Sequence, residues 1–431
     1  MSFAFGALLV VLFGLAAIGM PVAYAIFAAT LLYLGLGGRD LALAGETALQ
    51  GLYGSFVLLA VPLFITAANI MTAGTISDRL LGFAQALVGR FRGGLGHVNI
   101  VASVIFSGMS GSALADAAGL GKIVTGMMTE GNRYPRGYAA ALTAASATIG
   151  PIVPPSIPMV LYALVSGQSI GALFLAGVLP GLAMALALMA MNARAARRRG
   201  FAAEDPVPLA ALPRRTARAI PALLMPALLL GGIYGGIATP TEAAAIAALY
   251  ALLLAAAVYR ALSWRALYGI FLDSARASAA IGLVIAGALM LNFVVASENI
   301  PAKISETLAG TALPPLVFLV GVNLFVLLLG AVLDATTLIL VIVPLFLPTA
   351  RELGIDLVHF GVLMVVNAMI GLITPPYGVL LFVTNAVTGI PLREIIREIW
   401  GFLAVLVIAL GAMICLPDLV LWLPRLMGYP G

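Results

Sequence analysis

Two short polar segments interrupt otherwise apolar sequence in the first half of the chain. The segment 107–122 reads SGMSGSALADAAGLGK, and the segment 147–158 reads ATIGPIVPPSIP. Double prolines remove amide donors and prevent a regular helix, so backbone carbonyl oxygens are left without helical partners. Carbonyl and hydroxyl oxygens are the ligands that a dehydrated hard cation such as sodium requires. The exposed N-termini of broken half-helices attract carboxylates, so the two segments predict a site for a cation and an organic anion.

Both segments have counterparts in the second half of the chain. Three pairs recur in the same order at offsets of 221, 228 and 218 residues: TIGPIVPP at 148–155 with MIGLITPP at 369–376, ISDRLLG at 76–82 with ISETLAG at 304–310, and Asp116 with Asp334. Such regular recurrence predicts an internal duplication.

The composition places these segments in a membrane protein. Of the 431 residues, 63% are hydrophobic and only 9% are charged, whereas ordinary soluble domains are about 25% charged. The apolar runs are continuous rather than alternating, which favours helices over the strands of a β-barrel. We expect an all-α polytopic membrane protein with roughly ten to twelve transmembrane helices. The first helix is expected to be retained, because MSFAFGALLV lacks the basic region of a cleavable signal peptide.

The polar segments lie where the apolar runs are too long or too irregular for one straight crossing. Glycines break the middle of the stretch at about 98–130, and a re-entrant helical hairpin would place them at its tip. The stretch at about 321–350 repeats this pattern around GAVLDATT. The double prolines predict broken helices at about 139–165 and 359–387. Irregular backbone at such depth must be buried in protein or line a watery cavity.

The arginines predict the orientation of the two copies. The loop 192–218 holds seven arginines against Glu204 and Asp205, so the positive-inside rule places it in the cytoplasm. The tail LWLPRLMGYPG has one arginine and suits the periplasmic side. The copies then have opposite topology, which is typical of secondary transporters whose sites form where the repeats meet. With no basic domain outside the membrane, nucleic acid is not an expected partner.

These features divide the chain into five expected regions. They are N-terminal scaffold helices at 1–72, a first repeat at 73–191, a basic cytoplasmic loop at 192–218, a scaffold helix pair at 219–272 and a second repeat at 273–431. Each repeat is expected to contain one re-entrant hairpin and one broken helix.

Asp116 and Asp334 each allow two interpretations. Asp is favoured at N-caps and helix formers follow both residues, so each could cap the returning helix of its hairpin. Intramembrane acids are costly and often functional, so each could also bind a coupling ion. The serines of the first tip could instead be small residues that allow close helix packing. The motif ATPTEAAA predicts a capping box around Glu242.

Several catalytic and metal-binding classes find no support in the sequence. GLGK is not a phosphate loop, because Asp116 and Ile123 stand where the motif needs Gly and Ser or Thr. His97 and His359 are far apart, no HExxH motif occurs and Cys415 is the single cysteine, so no transition-metal site is expected. We expect no enzyme activity and no cofactor, and sodium is the only metal anticipated.

Four stretches of the chain resemble the large membrane subunit, of the DctM and SiaM type, of tripartite ATP-independent periplasmic (TRAP) transporters. The first two are GFAQALVGRFRGGLGHVNIVASVIFSGMSGSALADAAGLGKI and TAASATIGPIVPPSIPMVLYALVSGQSIGALFLAGVLPG. GIATPTEAAA and DATTLILVIVPLFLPTARELGIDLVHFGVLMVVNAMIGLITPPYGVLLFV follow in the expected order. Tyr377 departs from the family pattern, because a smaller residue is expected after the second proline pair.

The resemblance implies an inverted-repeat elevator transporter of the ion-transporter superfamily, driven by sodium and located in the bacterial inner membrane. It also implies two protein partners, a small four-helix membrane subunit in a separate chain and a periplasmic substrate-binding protein that delivers an organic acid. The hairpins and broken helices would move as one transport domain against a static scaffold in the lipid bilayer.

The family's sodium sites lie where hairpin tips meet broken helices, and the matching motifs transfer this expectation to the present chain. The expected sodium-binding residues are Ser110, Gly111, Ser112, Thr148, Gly150, Pro154, Asp334, Thr336, Thr337, Gly371, Thr374 and Pro375. The expected substrate-binding residues are Asp116, Pro155, Ser156, Asn367, Pro376 and Tyr377. A stand-alone anion or sodium/proton exchanger of the same architecture is the main alternative, and it would transport without partners.

Overall fold

The structure is a computed structural model that describes residues 2–73, 76–201, 212–260, 262–300, 302–303 and 314–430. The regular elements in these ranges are helices, as the continuous apolar runs predict. The echo ISETLAG at 304–310 lies outside the described residues, and so do positions 202–211 of the predicted basic loop.

The first half of the chain forms eleven helices within the described residues. They are α1 (Phe3–Ala17), α2 (Val22–Leu36), α3 (Ala42–Gly54), α4 (Ala60–Ala73), α5 (Ile76–Val88), α6 (Gly94–Ser110), α7 (Ala113–Ala118), α8 (Leu120–Thr129), α9 (Arg136–Ala147), α10 (Ile157–Ser166) and α11 (Ile170–Arg199).

The second half adds ten helices among the described residues. They are α12 (Leu212–Tyr234), α13 (Pro240–Leu253), α14 (Trp264–Ser297), α15 (Pro315–Gly330), α16 (Ala335–Thr337), α17 (Leu347–Glu352), α18 (Leu357–Gly371), α19 (Val379–Thr388), α20 (Leu392–Cys415) and α21 (Asp418–Leu426). A π-turn at Leu254–Val258 extends α13, and π and 3-10 turns at Leu338–Leu345 link α16 toward α17.

Length and hydropathy identify only part of the membrane-spanning set. Among the described residues, five helices are long and apolar enough to cross a bilayer, and a sixth span is possible if the pair bent by 72° at residue 55 is counted as one. Further apolar helices are only 10–17 residues long. Several of these are halves of interrupted segments, so the number of crossings stays a prediction.

The predicted domain boundaries at 191/192, 218/219 and 272/273 fall inside helices of the structure. The expected loop 192–218 is helical at both ends, since α11 runs to Arg199 and α12 begins at Leu212. Alanines and arginines are good helix formers, and arginines suit the negative C-terminal end of a helix. The expected boundary at 272/273 falls inside α14, a single helix of 34 residues.

The first hairpin, α6 to α8, turns at the predicted glycine. Gly111 has a φ of +57° and ends α6 in the left-handed conformation that glycine tolerates best. Ser112 then caps α7 by accepting a hydrogen bond from the Ala115 N–H at 3.3 Å. The second hairpin, α15 to α17, turns at Asp334, whose carboxylate accepts from the Thr337 N–H at 3.1 Å.

The broken helices are interrupted at both double prolines. The first broken helix consists of α9 and α10, and the second of α18 and α19. Both Pro–Pro peptide bonds, Pro154–Pro155 and Pro375–Pro376, are cis.

The two broken helices begin beside opposite ends of α20. The start of α9 packs closely against the start of α20. A Cβ built on Gly137 would lie only 2.6 Å from the Glu394 carbonyl oxygen. The start of α18 contacts the other end of α20, where His359 Nε2 lies 3.0 Å from the Met413 carbonyl oxygen. The broken helices therefore run antiparallel, as an inverted repeat requires.

Candidate functional site

A cavity of about 240 Å³ lies where both hairpin tips and both helix breaks meet. We call it the central cavity. The first residues of α10 and α19 reach it, and Ile281 of α14 forms part of its wall. Its lining consists of Gly111, Ser112, Ala113, Leu114, Pro151, Ile157, Pro158, Ile281, Asp334, Ala335, Thr336, Met369, Leu372 and Val379.

The first hairpin tip meets the first helix break through backbone alone. A Cβ built on Gly111 would lie 2.5 Å from the Pro155 carbonyl oxygen, closer than side-chain atoms approach. A Cβ on Gly150 would lie 3.5 Å from the Ser112 carbonyl group. Carbonyl oxygens of the break are thus brought to the glycine of the tip.

The second tip and the second break make the equivalent contact. A Cβ built on Gly371 would lie 2.7 Å from the Gly330 carbonyl carbon, and one on Gly330 would lie 3.1 Å from the Gly371 Cα. Both tips therefore depend on glycine at the crossing point, because any side chain there would separate the two backbones.

Asp334 is the only charged residue in the described lining of the central cavity. Its Oδ1 accepts a hydrogen bond from the Thr337 hydroxyl at 2.5 Å, and its Oδ2 accepts one from the Thr337 N–H at 3.1 Å. Both carboxylate oxygens thus accept hydrogen bonds from Thr337, and the half-buried side chain still borders the cavity.

Comparison with known proteins matches residues 9–419 to the family described as Tripartite ATP-independent periplasmic transporter, DctM component. The chain belongs to the DctM family. It is therefore a multi-pass membrane protein and the large permease of a TRAP transporter.

Several relatives resemble this DctM-family permease over nearly their full length. The sialic acid TRAP transporter large permease protein SiaM of Vibrio cholerae is 40% identical over 96% of this chain and 97% of its own. The C4-dicarboxylate large permease DctM of Pseudomonas aeruginosa is 40% identical over 86% and 87%. The 2,3-diketo-L-gulonate large permease YiaN of Escherichia coli is 34% identical over 95% and 96%.

A solved structure shares the fold of the permease. The YdaH transporter of Alcanivorax borkumensis aligns with a TM-score of 0.63 over 87% of this chain and 88% of its own, at 14% sequence identity. At this identity the likeness concerns the fold alone.

Four of the predicted site residues of the permease line the central cavity, namely Gly111, Ser112, Asp334 and Thr336. The remaining predicted hydroxyls form local hydrogen bonds. Thr148 donates to the Ala145 carbonyl at 2.6 Å, and Thr374 donates to the Ile370 carbonyl at 2.9 Å. Neither hydroxyl is among the cavity lining, so any ligand role would require these bonds to be exchanged.

The other predicted tip and break residues lie close by without lining the cavity. Ser110 is buried at the end of α6, and its hydroxyl accepts from the Ser112 N–H at 3.5 Å. Ser156 caps α10 through the Met159 N–H at 3.2 Å and donates to the Pro151 carbonyl. The further predicted site residues that do not line the central cavity are Gly150, Pro154, Pro155, Thr337, Gly371, Pro375 and Pro376.

Two residues predicted to bind substrate point elsewhere. The Asn367 amide donates to the Asn323 carbonyl at 2.6 Å and to Asn323 Oδ1 at 2.9 Å, which ties α18 to α15. Tyr377 is 58% exposed and contacts the ring of Phe382 at a centroid distance of 5.5 Å. Neither lines the central cavity.

Asp116 of the permease lies behind the first tip rather than in the cavity. Asp116 is 1% exposed, and neither of its carboxylate oxygens has a hydrogen-bond partner among the described residues. Ser103 faces the carboxyl without a hydrogen bond of normal geometry. The expectation that Asp116 caps the returning helix is wrong, because Ser112 takes that position one turn earlier.

A buried polar cluster on α6, α8 and α9 adjoins this acid. Asn99 Nδ2 donates to the Thr143 hydroxyl at 2.7 Å, and the hydroxyls of Thr143 and Thr125 lie 2.8 Å apart. Ser103 donates to Ser146 at 3.1 Å. The sequence analysis did not identify Asn99 and Ser103. The signal that could have identified them is the spacing of two polar residues four positions apart on one helix face.

Proposed function

We propose that this permease carries an organic acid into the cell by sodium-coupled secondary transport in the bacterial inner membrane. A periplasmic binding protein delivers the acid, and a small four-helix membrane subunit completes the complex. The hairpins and broken helices move together against the scaffold, so that the central cavity changes sides. No cofactor takes part, and sodium is the coupling ion.

The character of the cavity supports a carboxylate substrate. The N-termini of α10 and α19 open onto it, and the N-cap of α19 is Gly378, which has no side chain to cap the helix. Uncapped helix N-termini attract anions through free N–H groups and the helix dipole. The relatives are named for sialic acid, C4-dicarboxylate and 2,3-diketo-L-gulonate, and all three compounds carry a carboxylate.

Asp334 supports sodium coupling and suggests an order of binding. A carboxylate that enters the cavity meets the like charge of Asp334, which repels it in a site of low dielectric. A sodium ion held by this carboxylate, the Thr336 hydroxyl and nearby carbonyls removes that repulsion. Sodium therefore binds first, and the acid follows.

The first tip offers a second place for sodium. The Pro155 carbonyl oxygen faces Gly111, and the hydroxyls of Ser110 and Ser112 flank that glycine. These oxygens need only small rotations to surround a cation, because Ser110 is the last residue of α6, Ser112 is the cap of α7 and Pro155 lies in the break.

Uptake by proteoliposomes tests this function. The permease is reconstituted with its small subunit and binding protein, and uptake of the acid that the binding protein retains is followed with and without a sodium gradient. We expect uptake only when the gradient and both partners are present. Equal uptake without sodium would contradict the coupling, and full transport by this chain alone would favour the stand-alone exchanger.

A further inference from the structure

A second cavity, of about 440 Å³, lies away from the central cavity and is lined by three arginines. We call it the basic cavity. Arg79 of α5 and Arg215 and Arg218 of α12 provide its charge. The other described lining residues are Leu81, Gly82, Gln85, Ile123 and Met127, and none of them is acidic.

The basic cavity lies at the end of the molecule where the arginines are concentrated. Arg215 and Arg218 stand in the first two turns of α12, and Arg197, Arg198 and Arg199 form the last turn of α11, the preceding helix. Arg79 lies over the ring of Tyr259, at 3.9 Å from its centroid, and Arg260 follows Tyr259 in the sequence. By the positive-inside rule this end faces the cytoplasm.

The three guanidinium groups have few protein partners. Arg215 Nη1 donates to the Gly82 carbonyl at 3.1 Å and to Gln85 Oε1 at 3.2 Å, which leaves its other N–H groups free to face the cavity. Arg218 forms no hydrogen bond or ion pair with any residue that the structure describes. Three like charges around one cavity repel one another, so an anion held between them is stabilised.

The uncharged part of the lining indicates what kind of anion fits. Ile123, which is 40% exposed, and Met127 line the side formed by α8, and Leu81 adds a third apolar group. A guanidinium fork matches the oxygens of a phosphate group, and an apolar wall beside it matches an acyl chain. Basic pockets between helices on the cytoplasmic side are suited to anionic lipid head groups.

We propose that the basic cavity binds the phosphate group of an anionic phospholipid from the cytoplasmic leaflet. Arg218 and Arg79 hold the phosphate, Arg215 is positioned by Gly82 and Gln85 to complete the site, and the acyl chain lies along α8. The site joins α5 and α12 to the returning arm of the first hairpin.

Native mass spectrometry and thermal unfolding of the purified permease test this site without any transport assay. The protein is titrated with phosphatidylglycerol, with phosphatidylcholine and with inorganic phosphate. We expect phosphatidylglycerol to remain bound and to raise the unfolding temperature, while phosphatidylcholine does neither at the same concentration.

Substitutions identify the arginines responsible. Arg218→Gln removes a charge that has no hydrogen-bond or ion-pair partner among the described residues. We expect it to weaken phosphatidylglycerol binding about fivefold, which corresponds to about 1 kcal/mol per cationic side chain near a membrane surface. Arg79→Gln should weaken it similarly. The matched control is Arg214→Gln, which removes an exposed arginine that lies one turn earlier on the same helix and does not line the cavity.

Three outcomes would overturn the proposal. Equal retention of the two lipids excludes selection for an anionic head group, because phosphatidylcholine carries the same phosphate beside a cationic choline. A loss in Arg214→Gln as large as that in Arg218→Gln assigns the binding to diffuse surface charge. Stabilisation by inorganic phosphate that equals the effect of the lipid, and that prevents lipid retention, identifies free phosphate as the ligand. An unchanged unfolding temperature of lipid-free Arg218→Gln verifies that the variant folds.

Discussion

At the scale of single residues, Gly111 connects the first hairpin to the first helix break. Its φ of +57° is a conformation that favours glycine, and a Cβ there would lie 2.5 Å from the Pro155 carbonyl oxygen. A side chain at this position therefore meets two separate penalties, one in its own backbone and one in the contact with the break.

We expect Gly111→Ala to raise the sodium concentration needed for half-maximal uptake, because the tip must move away from the Pro155 carbonyl. Two glycines of the same hairpin region provide controls. Gly131 also has a positive φ of +64° but has no atom within 4 Å of its built Cβ, so Gly131→Ala isolates the backbone penalty. Gly126 has neither constraint, and Gly126→Ala inside α8 should leave uptake unchanged without lowering stability. Equal effects of Gly111→Ala and Gly131→Ala would show that the contact with the break is unimportant.

Asp334 can lose its charge without losing its structural role. Asn is as good an N-cap as Asp, so Asp334→Asn should still accept the Thr337 N–H and fold normally. Without the carboxylate we expect the half-saturating sodium concentration to rise about tenfold, the change that matches one charge-assisted contact of about 1.4 kcal/mol.

The same substitution at another N-cap controls for the loss of charge. Asp356 caps α18 by accepting from the N–H groups of Val358 and His359, and it does not line the central cavity. Asp356→Asn should therefore leave the sodium dependence of uptake unaltered. A wild-type sodium response in Asp334→Asn would remove this carboxylate from the ion site.

Asp116 illustrates what residue types alone do not determine. The sequence predicted a polar tip with glycine at the turn, and Gly111 and Ser112 confirm it. It offered Asp116 as one candidate for the cap, because Asp, like Ser, is a favoured cap and helix formers follow both residues. The choice between them depends on where the left-handed residue ends α6, and that point is set by the close approach of the Pro155 carbonyl from a distant part of the chain.

At the scale of elements, Asn192 joins three helices at the basic end of the molecule. Its Nδ2 donates to the Gly93 carbonyl at 3.0 Å, and its Oδ1 accepts from the Tyr138 hydroxyl at 3.0 Å. The side chain is fully buried, and a Cβ on Gly96 would lie 2.3 Å from Asn192 Oδ1. One amide thus fixes how α6 and α9 cross α11.

We expect Asn192→Ala to lower the free energy of unfolding by about 1–3 kcal/mol, because it leaves a buried carbonyl and a buried hydroxyl without partners. Denaturant titration in mixed micelles measures this change. Tyr138→Phe removes one of the same hydrogen bonds, so the double variant should lose less than the sum of the single losses. Strict additivity would contradict the shared hydrogen bond.

Local signals predicted some elements and missed others for physical reasons. The capping box of α13 was readable because Thr239 and Glu242 are three residues apart, and both of its hydrogen bonds form. The extension of α11 through Asn192 to Arg199 was missed, because a run of arginines after an apolar segment was interpreted as a loop. The burial of Asn192 depends on Gly93 and Tyr138, which its own neighbourhood does not reveal.

At the scale of the whole molecule, the duplication was predictable because it leaves the same breaks in both halves. The repeat aligns Gly150 with Gly371 in the sequence, and in the structure each of these glycines contacts a hairpin. The two interrupted helices that contain them run antiparallel. The part played by α14 was not predictable, since Ile281 is one apolar residue in a continuous apolar helix. Which scaffold residue reaches the central cavity depends on the packing of the entire chain.

The proposed motion of the hairpins against the scaffold can be tested where α6 crosses α12. A Cβ built on Gly108 would lie 3.2 Å from the Pro226 Cβ, close to the 3.5–4.5 Å that a disulfide needs. Replacing both residues by cysteine also removes the Pro226 ring atom that a side chain at 108 would otherwise contact. Cys415 is the single native cysteine, so Cys415→Ala provides a clean background.

We expect oxidation of the Gly108→Cys, Pro226→Cys variant to stop uptake and reduction to restore it, because the bond fixes the first hairpin to a helix of the static scaffold. The control pair joins two scaffold helices, α2 and α14, where a Cβ on Gly287 would lie 3.5 Å from the Ile26 Cβ. Ile26→Cys, Gly287→Cys should therefore transport equally well when oxidised and when reduced. Undiminished uptake by the fully cross-linked first pair would mean that the hairpin does not move past α12, and only a local opening of the tips would then be compatible with transport.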